Sequence, residues 1–194
     1  PGAMNFSHLN SVKDSREIHL GIVAPDGRDG MMQHAREFHE MGIPFMFDPG
    51  QGLPMYNGDE LLNFMQQANY IAVTDYEAQL LQDRTGYKLE SLANKDKVLI
   101  ITLGANGSVI YAEGKKIEIP CVEPREIVDP TGCGDAYRAG LLYGIVKSLD
   151  WQTTGQLGSL LGSLNIAHRG GQNHQFTREE IDQAYFENFG ARIF

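Results

Sequence analysis

The stretch Asp129-Pro130-Thr131-Gly132-Cys133-Gly134-Asp135 lies between an apolar run ending at Ile127-Val128 and a helical pattern from Asp135 to Lys147. A strand that enters a glycine-rich turn and leaves as a helix is the unit from which open α/β sheets are built, and ligands bind at the carboxyl ends of their strands. Gly132 and Gly134 permit a tight turn and close approach of a ligand to the backbone. The amides of Gly132, Cys133 and Gly134 would point outward at the start of the helix, an anion-binding arrangement reinforced by the helix dipole. Asp135 has two readings. It is an N-cap, worth about 1 kcal/mol, or it is a base that takes the proton of an attacking hydroxyl while a phosphoryl group lies over the amides. No Lys-Ser/Thr follows the glycines, so any phosphate site is not of the Walker type.

Working outward, the chain alternates. Ile18–Ala24 reads as a buried strand ended by Pro25-Asp26-Gly27, and Asp29–Met41 as a helix closed by Gly42. Strands are expected at 43–47, 70–73 and 98–102, with helices at 59–68 and 75–84 between them. Residues 108–112 and 116–122 flank Glu113-Gly114-Lys115 as a β-hairpin. Ile127-Val128 ends one more strand, and three helices follow at about 135–147, 153–168 and 178–188. The alternation implies an α/β fold, a mostly parallel sheet with helices on both faces. With no linker, repeat or low-complexity tract, residues 1–194 read as one domain.

Composition narrows the function. The chain has 194 residues, 16 Lys plus Arg against 25 Asp plus Glu, and a net charge of −9, which speaks against a generally basic nucleic-acid binder. Apolar runs such as Val98–Ile101 are too short to span a bilayer, and nothing reads as a signal peptide. Two cysteines, Cys121 and Cys133, make neither a disulfide scaffold nor a zinc site, so a reducing, cytoplasmic compartment is expected. His34 and His39 lie five apart on a helix, off the spacing that sets two ligands on one face, and read as solvent-facing.

Asp129–Asp135, continued by Ala139-Gly140, resembles the C-terminal signature of the PfkB (ribokinase-like) carbohydrate and nucleoside kinases, whose usual form is Asp-Thr-x-Gly-Ala-Gly-Asp. Pro130 and Cys133 depart mildly from it, and Cys133 suits a tight turn by its size. The resemblance implies a three-layer αβα, Rossmann-like fold, ATP as donor, and Asp135 as catalytic base with Gly132, Cys133 and Gly134 as the anion hole. Three more stretches agree in order and spacing. Thr102-Leu103-Gly104-Ala105-Asn106-Gly107 is similar to the family's nucleotide-binding loop. Thr74-Asp75-Tyr76-Glu77 is similar to its Asn-x-x-Glu element, which implies a role for Glu77 near Mg²⁺ and its waters. Thr74 replaces asparagine there, which puts a direct phosphate contact in doubt, and the pair also reads as a capping box. Asn165 to Thr177 resembles the loop that supplies oxygens to a monovalent cation. By that match Asn165, His168, Gly170 and His174, with Asp129 and Thr131, would surround K⁺, while a helix C-cap at Gly170 is the plainer reading.

The match covers the C-terminal part of the family pattern only. Family chains run to about 300 residues, ordinary for one α/β domain. Their Gly-Gly-x-x-x-Asn substrate element and lid have no counterpart here. The chain starts Pro-Gly-Ala-Met, so Pro1–Ala3 is an expression remnant or the sequence begins inside a longer protein. The expectation is a fragment of an ATP-dependent kinase for the hydroxymethyl group of a sugar or nucleoside, nearest the bacterial adenosine-kinase-like members and inactive by itself. Its partners would be that small molecule and either a second copy or the missing N-terminal portion, with no nucleic acid and no membrane. The alternative is a non-catalytic nucleotide-binding or oligomerising fragment. A dinucleotide-dependent oxidoreductase is disfavoured, because no Gly-x-Gly-x-x-Gly follows the first strand.

Overall fold

Short runs rich in Val, Ile and Phe become six strands of one sheet in the computed structural model, which describes residues 2–93 and 96–194. They are β1 (Gly21–Val23), β2 (Phe45–Phe47), β3 (Tyr70–Thr74), β4 (Val98–Thr102), β5 (Ser108–Ala112) and β6 (Lys115–Ile119), side by side in chain order. β1 to β4 are parallel, with Val23 opposite Phe47, Phe47 opposite Ile71, and Thr74 opposite Thr102. The connections between them carry α1 (Arg28–Glu40), α2 (Gly58–Gln67) and α3 (Asp75–Thr85). Sequential parallel strands joined by right-handed crossovers put these helices on one sheet face. There Phe45, Phe47, Ile71, Val73 and Leu99 pack with Met31, Phe38, Leu61, Phe64 and Leu81. The rings of Phe47 and Phe64 stack at 4.6 Å. Each such buried side chain stabilises the fold by about 1.5–3 kcal/mol. Met46, Ala72 and Ile100, which point the other way, are buried as well. Burial on both faces explains why these strands read as continuous apolar runs. The β5–β6 hairpin turns at Glu113 (φ 54°) and Gly114 (φ 73°), both in the left-handed region that tight hairpin turns require.

Contacts divide the chain into two compact units, one of residues up to Leu103 with Val109–Ile117, the other of Gly104–Ser108 with Glu118–Phe194. The second holds α4 (Cys133–Val146), α5 (Trp151–Ile166) and α6 (Arg178–Phe189). α4 and α5 meet backbone to backbone: a Cβ on Gly140 would stand 2.6 Å from the Cα of Gly158. Val122, Leu157, Leu160 and Tyr185 form a small core beside them.

The structure corrects several expectations. Ile127-Val128 is not a strand. The N–H groups of Val128 and Asp129 both donate to the Ile166 carbonyl, at 2.9 and 3.1 Å, so this segment is fastened to the end of α5 rather than to a sheet. β6 stops at Ile119, before Pro120, which has no N–H for a ladder; Val122 N–H donates instead to Ser159 Oγ at 2.9 Å. β1 is confined to three residues, and α4 begins two residues earlier than the apolar period suggests. His39 is exposed as expected, but His34 is half-buried with Nε2 2.9 Å from the Asn10 carbonyl. No helix among the described residues is long and apolar enough to cross a membrane.

Candidate phosphate-binding site

The mouth of α4 lies in the second unit. Its N-cap is Gly132, at φ 82° and ψ 0°, and no side chain caps the helix. Only glycine fits: the backbone is left-handed, and a Cβ there would meet the Gly171 Cα at 2.7 Å. Asp135 is the third helical residue. Its side chain is 89% exposed, and its partner is the Arg138 guanidinium, 3.9 Å away. It is therefore not a cap. Of the two readings that the sequence offers for this carboxylate, the geometry removes the N-cap.

The three-amide expectation needs a correction. Cys133 N–H donates to the Pro130 carbonyl at 3.2 Å, closing the turn on itself. Among the described residues the N–H groups of Gly132, Gly134 and Asp135 have no acceptor. The outward donor set thus shifts by one residue and includes the amide of Asp135 itself. Arg138, which the motif did not point to, folds back over Gly134 and adds a guanidinium at the same mouth; its three-residue spacing from Asp135 was the available signal. The Cys133 thiol is pushed up by burial, then by the charges of Asp129 and Cys121, and its Sγ sits 3.5 Å from the Gly162 carbonyl. That environment suits packing rather than nucleophilic attack.

Asp129 holds the turn to the loop after α5. One carboxylate oxygen accepts from Thr131 N–H and the other from Gly170 N–H, both at 2.9 Å. The Thr131 hydroxyl, then the Thr131 and Gly170 amides, hold its carboxyl below the usual aspartate range. Asn165 is fully buried; its Nδ2 donates to the Thr131 carbonyl at 3.2 Å, while its Oδ1 has no partner. His168 N–H donates to the Asn165 carbonyl at 2.9 Å, and Gly170 is left-handed at φ 79°. The rings of His168, His174 and Phe176 lie 5.4–6.4 Å apart, with His174 Nδ1 buried and without a partner. All six residues expected around K⁺ are thus in this unit. The orphaned Asn165 Oδ1 and the nearby backbone carbonyls are the hard oxygen donors an alkali ion takes. His174 fits poorly, since its buried side-chain atom is a nitrogen.

Gly104, Ala105 and Asn106 form one exposed 3₁₀ turn in the same unit, closed by Gly107 N–H donating to the Gly104 carbonyl at 3.1 Å. Gly107 is left-handed at φ 84°, with the Ile119 carbonyl where a side chain would be. Ser108 Oγ lies 2.6 Å from the Tyr137 hydroxyl, which ties this loop to α4. Burial pushes the Tyr137 phenol up to about 12. A cavity of about 540 Å³ runs along α5 and α6, lined by Val122, Leu160 and Leu164 and by Glu180, Ala184 and Glu187.

The remaining expected residues belong to the first unit. Thr74 and Glu77 form a full capping box on α3: Glu77 N–H donates to Thr74 Oγ1 at 3.1 Å, and Thr74 N–H to Glu77 Oε2 at 2.8 Å. One Glu77 oxygen remains for other work. Thr102 Oγ1 is 3.4 Å from the Val73 carbonyl, and Leu103 is half-buried. Among the described residues no group of three or more His, Cys, Asp or Glu gathers to hold a metal ion.

A family model, pfkB family carbohydrate kinase, matches residues 12–178. The chain belongs to that family. It is 36% identical over 135 residues to a nucleoside kinase of Methanocaldococcus jannaschii, an alignment covering 70% of this chain and 45% of that one. It superposes on the structure of Burkholderia thailandensis nucleoside kinase in complex with inosine with a TM-score of 0.97 and 48% identity, covering 100% of this chain and 64% of that one. The complex of the same enzyme with ADP-inosine gives 0.96 over 99% of this chain and 60% of that one, also at 48% identity. The chain thus spans about half to two thirds of the relatives it matches. The expected α/β class and family hold, with the three-layer fold that these kinases share.

Proposed function

We propose that this chain carries the phosphoryl-donor half of an ATP-dependent nucleoside kinase. The observation that supports it is the uncapped mouth of α4: amides at Gly132, Gly134 and Asp135 without acceptors, and an exposed carboxylate beside them. A terminal phosphoryl group against those N–H groups would meet the helix dipole and the Arg138 charge as negative charge builds up. The Asp135 carboxylate takes the proton of the attacking hydroxymethyl group. The exposed 104–107 turn follows the nucleotide, and the cavity along α5 receives its base. Thr74 caps α3 rather than touching phosphate. Bound Mg²⁺ would offset phosphate charge, and Glu77 is the residue that the family resemblance assigns to its waters. K⁺ would lie among the oxygens of Asp129, Thr131, Asn165, His168 and Gly170, with His174 contributing its backbone oxygen only.

A nucleoside acceptor is favoured over a free sugar because the chain is 36% identical to one nucleoside kinase and 48% identical to another whose structure holds inosine. Those relatives are kinases, so the non-catalytic alternative is not favoured. Asp135→Asn tests the assignment in a chain extended to the length of its relatives. ATP affinity should stay within about twofold while turnover with inosine or adenosine falls by a factor on the order of 10² or more. Near-normal turnover would remove Asp135 from the mechanism.

A further inference from the structure

We infer that the Asn165 side chain is a positioning residue for the phosphate site, holding the 129–132 turn in the shape that presents the α4 amides. The inference rests on the phosphate reading above and adds a residue to it. Asn165 stands on the last turn of α5 and is fully buried. Its Nδ2 donates to the Thr131 carbonyl at 3.2 Å. Its Nδ2 and Oδ1 would both lie 3.3 Å from a Cβ on Gly132, so the end of the carboxamide abuts the N-cap of α4. Its backbone carbonyl at the same time accepts from His168 N–H at 2.9 Å. One residue thus fixes the turn through its side chain and starts the cation loop through its main chain.

Two features separate this from ordinary core packing. Leucine would fill the same volume in an otherwise apolar helix face, yet a carboxamide is buried here with its Oδ1 unsatisfied. Burying a carboxamide is costly unless its atoms are used; here Nδ2 is used on the Thr131 carbonyl, and Oδ1 is the oxygen assigned above to the cation. The second feature is redundancy of direction. Asp129 pulls the turn toward Gly170 through Thr131 N–H, whereas Asn165 holds the opposite face of the same residue through Thr131 C=O. With both faces of residue 131 fixed, the next peptide, Gly132, has one orientation, and that orientation aims the following N–H groups outward. Removing Asn165 leaves one hold out of two and lets the peptide rotate.

The experiment compares ATP and ADP, since the site described receives only the terminal phosphoryl group of ATP. Affinities of both, with Mg²⁺, are measured by calorimetry on the chain and on Asn165→Leu. The expected result is ATP binding weakened about tenfold and ADP binding changed less than twofold. Equal weakening of both, or none, overturns the inference, because a packing defect does not distinguish the two nucleotides. Should the variant fail to fold, the side-chain amide resonances of Asn165 in the wild-type chain decide. They should move on addition of ATP and hold still on addition of ADP; the same response to both overturns the inference. If the wild-type chain binds neither nucleotide, the phosphate reading itself fails, an outcome distinct from those above.

Discussion

The N-termini of α3 and α4 solve the same problem in opposite ways. Every helix begins with N–H groups that have no partner inside the helix. α3 satisfies its own, through the reciprocal bonds of Thr74 and Glu77. α4 does not: its N-cap is a glycine, and the acid three residues on faces solvent. α2 and α6 repeat the α3 solution, with Asn57–Glu60 and Thr177–Glu180 boxes. α5 is capped by Asp150, whereas α1, like α4, begins at a glycine with no side-chain cap; what sets α4 apart is the exposed acid and the Arg138 guanidinium beside its open N–H groups. Similar motif spacing, an acid at the third position in both, gives a closed end in one place and an open one in the other. The difference lies in the N-cap residue.

The largest effect is expected where the open end is closed by force. Gly132→Ala puts a methyl group against the Gly171 backbone and strains a left-handed residue, costing about 2–3 kcal/mol. Chemical denaturation should register that loss, and calorimetry should find ATP affinity reduced at least tenfold. Thr74→Ala removes the α3 cap and should cost about 1 kcal/mol. ATP affinity there should remain within twofold, and a larger drop would mean that α3 also touches phosphate. The smallest effect at neutral pH concerns the tether of the 104–108 loop. Tyr137 ionises at about 12 in the folded chain, above the ordinary tyrosine value of about 10. Its folded-state value is raised, so its contribution is complete below about pH 10 and is lost as pH rises through about 12. Absorbance titration at alkaline pH should find Tyr137 among the last phenols to ionise, together with Tyr56, which burial also raises to about 12. Tyr137→Phe should remove its share of that late step, leaving that of Tyr56, and lower stability near pH 7 by about 1 kcal/mol.

Much of this was legible in the chain itself. The strands from Phe45 to Thr102 announce themselves because burial on two faces demands unbroken apolar runs. The glycines at 132 and 134 mark the turn because few other residues tolerate its geometry. What stayed hidden depends on through-space partners. Ile127-Val128 has strand composition, yet the Ile166 carbonyl takes the N–H groups that a ladder would have needed. The inward bond of Cys133 to Pro130, and the hold of Asn165 on Thr131, join residues whose pairing no periodicity records. The acid at 135 was ambiguous in one dimension. It became interpretable only once its exposure, and the lack of a side-chain cap on α4, were visible.

The double grip of Asp129 on Thr131 and Gly170 has a thermodynamic consequence. Two backbone segments separated by some forty residues are immobilised by one carboxylate during folding, before any guest arrives. The chain entropy lost in arranging them belongs to folding and not to association. Recognition of an incoming anion should therefore be nearly free of a loop-ordering cost.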